Sequence, residues 1–557
     1  MAFRGETYTA RPKRPSDGAV SAKYKKKPDK AEEKLAKRLI SDRLTAKEPP
    51  AGPRTAPKKT GEKKTGDKKT SAPREAAARG AAPKAAQKKT AEKKAPVRRA
   101  VMATPKQAQR AKRDRAREPG RVRRVRRVRR HAEAAMRDRR RAVSRGVDTR
   151  VVLIALLTAA FVTGGLLLAA VRGTGGMDTQ ALLLIALMAP LGLLTSLALP
   201  RVLPIDPLIM ALTNFLCGVG VVVLYTVSPA RGVRQASYYV LGLVAMIAVS
   251  ALVSRKKRFR GLTLLAMVLG VAALILPLAF GEWSGGAKNW VTLPVVGSFQ
   301  PSELVKLSLV LAMAYYFSAH RTVLQMMPAI LFAGACLLLL MLQRDLGTAL
   351  IYYATTLAMF YVACGNVPLT IAGLGGGVGA AVLGYRMFAH VKVRVAMWRN
   401  PWSDPLDKGY QIIQALLAIG SGGLFGVGLG QGTPEKIPAY YNDFIFAVIC
   451  EQLGQVFGVL LLAVYVLLIL RGVTVMGRSR RSYDMLLGCG VLAMLAIQTF
   501  MIVAGVIKML PLTGVTMPFL SYGGSSLLSC LAMIGILHGI AARAQEDLEE
   551  DVLSIKA

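Results

Sequence analysis

Between Val151 and Val171 the chain reads VVLIALLTAAFVTGGLLLAAV, an uncharged run of 21 residues. An α-helix rises about 1.5 Å per residue, so a run of this length crosses the ~30 Å hydrocarbon layer of a bilayer. Comparable runs, bounded by charges or Pro/Gly turns, follow at 181–199, 207–227, 237–253, 262–280, 303–320, 327–342, 346–364, 368–387, 444–470, 485–506 and 520–541. That periodicity predicts an all-α polytopic membrane protein of about 12 transmembrane helices. Residues 151–200 form a leading helix pair, residues 207–543 the main body, and residues 544–557 a short polar tail.

Working outward from the first span, the N-terminal 150 residues are a different material. They hold 49 Lys+Arg against 16 Asp+Glu, out of 75 and 32 in all 557 residues. The stretch from Ala51 to Ala100 is mostly Ala, Pro, Lys and Thr, with Lys-Lys-Thr recurring at Lys58, Lys63, Lys68 and Lys88. So few large apolar side chains cannot offset the entropy of ordering, which predicts a disordered basic tail. Beside the membrane, RVRRVRRVRR (Arg121–Arg130) suits the headgroups of anionic lipids. Nucleic acid is not the expected partner, because the only tail aromatics are Phe3, Tyr8 and Tyr24.

Composition excludes several functions. The six cysteines lie singly in or beside apolar runs, and the four histidines form no HExxH or other clustered ligand set, so no metal site is expected. Without a Gly-Lys dipeptide there is no P-loop. The start, Met1-Ala2-Phe3-Arg4-Gly5, lacks the apolar core of a secretory signal, so the first internal span is expected to drive insertion.

Sidedness follows from the loops. If the basic tail stays in the cytoplasm, SRKKRFR (Ser254–Arg260) and RGVTVMGRSRR (Arg471–Arg481) fall on the same side, as does the C-terminus. The other side then receives 281–302, the turn Gln343–Asp345, the long connection 388–443, and 507–519. Ionisable residues inside a membrane are costly and mark partners or cavities. Here Glu303 and Lys306, Asp345 after Arg344, Asp443 and Glu451 are all expected at that outer side. Glu303 and Lys306 share one helix face, which fits a local ion pair as well as a ligand site.

The 388–443 connection far exceeds the usual loop length, which points to function. Within it, Tyr410–Leu417 is apolar on one face and suits an interfacial helix. The run IGSGGLFGVGLGQG (Ile419–Gly432) follows no strand, so it is no dinucleotide fingerprint; its glycines suit close packing or a bend.

Six motifs occur in order: GAKNW (Gly286–Trp290), QPSELVKL (Gln300–Leu307), RDLGTALI (Arg344–Ile351), NPWSDPLDKGYQ (Asn400–Gln411), NDFIFAVICEQLG (Asn442–Gly454) and PLTGVTMPFLSYGGSS (Pro511–Ser526). On these the chain resembles the SEDS family (shape, elongation, division and sporulation), whose members commonly have ten spans. The resemblance implies a peptidoglycan glycosyltransferase in the bacterial cytoplasmic membrane that polymerises lipid II on the outer face, beside a class B penicillin-binding protein. It implies Asp443 as the essential catalytic carboxylate and matches Glu303, Lys306 and Asp345 to polar positions of the family's motifs; with Arg394, Asp404, Glu451 and Trp290, read from this sequence, these are the expected substrate-binding residues. Lys306 and Arg394 are the expected clamps for pyrophosphate, a divalent cation held by carboxylates being the alternative. A lipid II flippase would need polar residues threading to both faces, and a noncatalytic scaffold would not need Asp443. The chain departs from the family pattern at Pro438-Ala439-Tyr440-Tyr441-Asn442, which lacks the Glu and His common before the aspartate, and at Arg344, Gln452 and Thr513.

Overall fold

The computed structural model describes residues 148–172, 178–255, 260–284, 286–293, 297–319 and 322–556. The expected disordered tail, 1–150, lies outside them except for its last three residues, of which Thr149 and Arg150 are helical, and all described residues fall in one compact unit, Met102–Ala557. That unit is a helical bundle. Its leading pair is α1 (Thr149–Arg172) and α2 (Thr179–Val202); α3 (Pro207–Val227), α4 (Pro229–Arg255) and α5 (Arg260–Phe280) follow. After a small sheet come α6 (Pro301–Ala319), α7 (Val323–Leu342), α8 (Leu346–Cys364) and α9 (Val367–Met387). Two shorter helices, α10 (Ala389–Arg399) and α11 (Tyr410–Gly422), precede α12 (Ile445–Met476), α13 (Ser482–Val506) and α14 (Gly524–Lys556).

Eleven described helices are long and apolar enough to cross a membrane, and the chain is a multi-pass membrane protein. The further expected span, α6, is helical over 19 residues but is not in that set; Ser302, Glu303 and Lys306 make its first turns polar. The loop 281–302 departs from expectation. Residues Lys288, Asn289, Trp290, Val291 and Thr292 lie in the middle strand of a three-stranded antiparallel sheet: β1 (Glu282–Ser284), β2 (Ala287–Leu293) and β3 (Gly297–Phe299).

Burial separates the bundle's interior from its rim. The apolar window of α3 is 89% buried and that of α14 83%, against 6% for α9, whose exposed Ile371, Leu374, Val378 and Val382 suit lipid contact. Close approach of α14 to α4 depends on small residues: a Cβ on Gly535 would sit 2.4 Å from the Met246 carbonyl oxygen. The leading pair is tied to this interior by polar bonds. Asn214 of α3 donates to the Thr195 and Ser196 hydroxyls of α2, each at 2.8 Å, and accepts from the Tyr239 hydroxyl of α4. Thr195 and Ser196 sit in a π-helical turn, Leu194–Ala198, shortly after Pro190 breaks the ladder of α2.

Ionisable groups are not confined to one end of the bundle, contrary to the sequence expectation. At the end opposite the loops of interest, Asp206 caps α3 and pairs with Arg471 at 2.7 Å, while Asp484 pairs with Arg543, both essentially inaccessible. Arg481 pairs with Asp547. These groups were missed as buried because their helices extend past the apolar windows, where charges read as solvated ends. Each carboxylate has a cationic partner, as a buried charge requires.

Candidate active site

Asp443 lies just before α12, and the backbone ahead of it is held from several directions. The Tyr441 carbonyl accepts from the Tyr522 amide at 2.9 Å, and the Asn442 carbonyl from the Ser521 hydroxyl at 2.7 Å. Ser521 in turn accepts from the Met517 amide, and Gln235 of α4 donates to the Ser521 carbonyl. On the far side, the Arg231 guanidinium stacks 3.9 Å from the Tyr441 ring centroid and donates to the Tyr440 hydroxyl at 2.7 Å. Five hydrogen bonds and a cation–π contact therefore settle this stretch of backbone, and the carboxylate after it inherits a fixed position.

That carboxylate is half-buried, and among the described residues its oxygens accept no hydrogen bond from the chain. Its neighbours are Gly514 and Arg394. A Cβ on Gly514 would lie 3.5 Å from Asp443 Oδ2 and 3.6 Å from Arg394 Nη2, so the two charged groups flank one exposed glycine. Arg394, projected from α10, is anchored by Nη1 to the Leu512 and Thr513 carbonyls at 3.3 and 3.0 Å. Burial pushes Asp443 up to about 6; Arg394 opposes the shift and Asp345 adds to it. His390 lies in the same neighbourhood, where burial and the charges of Arg394 and Arg344 hold its imidazole below the ordinary value.

Gly514 itself has φ +71°, a region that disfavours other residues. Gly514→Ala is expected to cost about 1–2 kcal/mol of stability through strain. Its methyl would stand at ordinary contact distance from both charged groups, so the rate falls through the strained turn moving them, by up to about 100-fold. Thermal unfolding beside initial rates would show the mismatch; equal fractional losses in both would contradict it.

Two of the other acidic candidates, Glu303 and Asp345, are occupied. Lys306 Nζ donates to both Glu303 oxygens at 2.8 Å and to Gln498 Oε1 at 2.9 Å, and Glu303 also accepts from Ser529. An ammonium has three protons, so this geometry leaves none for a ligand. The pair instead braces the site from below, because Gln498 Nε2 donates to the Thr516 carbonyl at 2.7 Å, two residues from Gly514. Asp345 caps α8 and accepts from Asn289, Gln300 and both donors of Thr348 at 2.9–3.1 Å. It thereby joins the sheet, the start of α6 and α8. Trp290 is half-buried in β2 opposite Glu282. Arg344, with φ 63°, lays its guanidinium 4.9 Å from the Trp283 ring centroid.

Glu451 is buried in α12. One oxygen accepts from the Thr433 amide at 3.0 Å and the other has no partner among the described residues. Beside it Gln452 accepts from the Thr226 hydroxyl and the Gly430 amide, so this departure from the family pattern gives a neutral link between α3 and the glycine-rich loop. Asp404 sits in an outlying turn, 3.9 Å from Lys408. Among the described residues no three His, Cys, Asp or Glu gather as metal ligands.

The structure thus brings Asp443, Arg394 and Asp345 within electrostatic reach of one another and sets Glu303 and Lys306 behind them. Sequence reasoning missed Arg231, Gln235, Gln498, Gly514 and Ser521. The signal was present for three of them: Arg231, Gln235 and Gln498 are isolated polar residues within or at the end of apolar helices.

Comparison with known proteins gives the family. The Mycobacterium bovis protein named peptidoglycan glycosyltransferase RodA is 32% identical over 63% of this chain and 81% of its own. Bacillus subtilis stage V sporulation protein E is 32% identical over 60% of this chain and 96% of its own. A chain from a structure described as showing coordination of polymerization and crosslinking by a peptidoglycan synthase complex superposes with TM-score 0.52 at 26% identity, covering 62% of this chain and 99% of its own. The family described as "Cell cycle protein", of FtsW, RodA and SpoVE, matches residues 207–546, beginning at α3 and leaving α1 and α2 outside the match; the chain belongs to that family.

Proposed function

We propose that this chain is a peptidoglycan glycosyltransferase that polymerises lipid II. The supporting observation is the contrast among its buried acids. Glu303 and Asp345 are saturated by internal bonds, whereas Asp443 is held by its backbone, accepts no hydrogen bond among the described residues and faces Arg394 across an exposed glycine. Relatives named for this activity support the assignment.

Polymerisation joins the C4 hydroxyl of one lipid-linked disaccharide to the anomeric carbon of another and expels undecaprenyl pyrophosphate. Asp443 accepts the hydroxyl proton as the new bond forms, a role suited to a carboxylate whose basicity is raised by burial. Arg394 stabilises the charge that develops on the leaving pyrophosphate. Lys306, bonded on all three sides, takes a positioning role in place of the expected phosphate contact. Asp345 and Glu303 likewise shape the site instead of touching the reacting atoms. The site lies on the outer face of the cytoplasmic membrane, both termini lie in the cytoplasm, and the basic tail meets anionic lipid there. A class B penicillin-binding protein cross-links the product.

Purified protein in nanodiscs with labelled lipid II, alone and with the transpeptidase, tests the assignment by gel analysis of the glycan. Lipid II moved between leaflets with no polymer formed would identify a flippase instead. No polymer in either condition would leave the scaffold reading. The base role also sets a pH profile. Asp443 is active when deprotonated, so the rate should rise as pH increases through about 6 and then level off. A rate that is flat from pH 5 to 7 argues against it.

A further inference from the structure

We infer that residues 423–429 form a re-entrant loop that places Leu424 and Phe425 in the hydrocarbon of the leaflet next to the active site, in contact with lipid chains. This does not depend on the proposed reaction. The starting observation is a break in α12 at Gly454, where φ 88° and ψ 165° interrupt the helical ladder. Backbone groups freed at membrane depth must find partners inside the protein. Here the loop supplies them: the Val427 and Gly428 amides donate to the Glu451 and Gln452 carbonyls, each at 2.9 Å, while the Gln455 and Val456 amides donate to the Gly423 and Leu424 carbonyls at 3.0 and 3.2 Å. The two backbones touch so closely that a Cβ on Gly426 would sit 2.3 Å from the Gln452 carbonyl oxygen, and one on Gly454 2.3 Å from that of Leu424.

Two independent measures give the depth. Val456 is fifteen residues before Arg471, or about 22 Å along the helix, and Arg471 pairs with Asp206 at the bundle's other end. A segment bonded to Val456 therefore lies within a layer ~30 Å thick. From the neighbouring helix, a Cβ on Gly165 would lie 3.5 Å from Leu429 Cδ1. Gly165 is seven residues, or about 10 Å, below the end of α1 at Arg172. The loop thus descends beside α1 and α12.

Its apolar tip is bare. Leu424 is 61% exposed and Phe425 82%. The tip is continuous with the exposed Val456, Val459 and Leu460 on α12, whose composition suits lipid. In water such a phenylalanine would add apolar surface with no return; in hydrocarbon the same exposure is favourable.

The test uses the full chain in liposomes with no other protein. Phe425→Cys, Leu424→Cys and, in the polar turn of the same connection, Lys408→Cys would each carry an NBD label, with the parent protein labelled in parallel to subtract reaction at native cysteines. Quenching by nitroxide at an upper acyl carbon should exceed quenching by aqueous iodide at positions 425 and 424, and the order should reverse at 408. Iodide dominating at 425 and 424 overturns the inference, since the tip would be in water. Protection from both quenchers also overturns it, because a second copy of the chain would then cover the tip.

Discussion

Asp443→Asn is expected to lower lipid II polymerisation by about 100- to 10,000-fold, the range for loss of a general base, with folded yield unchanged. Asparagine keeps the shape of the side chain and removes only its charge and basicity. Because the carboxylate accepts no hydrogen bond among the described residues, no internal bond is lost. The backbone contacts through Ser521 and Tyr522 remain, so the loop keeps its place. Initial rates per folded molecule, with size-exclusion profile and melting temperature as controls, give the answer. Polymerisation within about tenfold of the parent would remove Asp443 from the base role. Asp345→Asn is the contrasting variant: its four accepted bonds predict a loss of yield before any loss of specific activity.

Lys306→Met is expected to destabilise the protein by about 3–5 kcal/mol, because it leaves the Glu303 carboxylate buried without its counter-charge. Among the described residues only Ser529 would still donate to it. The double variant Glu303→Leu/Lys306→Met should recover much of that loss, since removing both charges also removes their desolvation cost. Thermal unfolding in detergent, compared across the single and double variants, measures the recovery. Activity per folded molecule separates bracing from ligand contact. If Lys306→Met folds as well as the parent yet fails to polymerise, the lysine contacts substrate and the saturated geometry is not the working one.

The departures from the family pattern have local explanations that motif matching does not supply. Tyr441, where a histidine is common, gives Arg231 a ring to stack on and so takes part in placing Asp443. Gln452, in place of a second glutamate, accepts two hydrogen bonds where another carboxylate would stand beside buried Glu451. The Thr513 carbonyl is one of the two acceptors that anchor Arg394.

The sequence alone carried the class of fold and singled out Asp443, the carboxylate proposed as the base. Span length and the absence of charge are one-dimensional properties, and the hydrocarbon layer reads them directly. Asp443 was legible because its motif is contiguous. Whether a polar residue faces a ligand or another residue is not a property of spacing. Glu303 and Lys306 at positions i and i+3 were compatible with either role, and only the arrival of Gln498 and Ser529 from other helices closed their shell. The same holds for Arg394, whose acceptors lie 118 and 119 residues away in sequence, and for the loop that repairs the break in α12. Tertiary structure decided these cases because hydrogen-bond saturation depends on which distant atoms converge on each buried group.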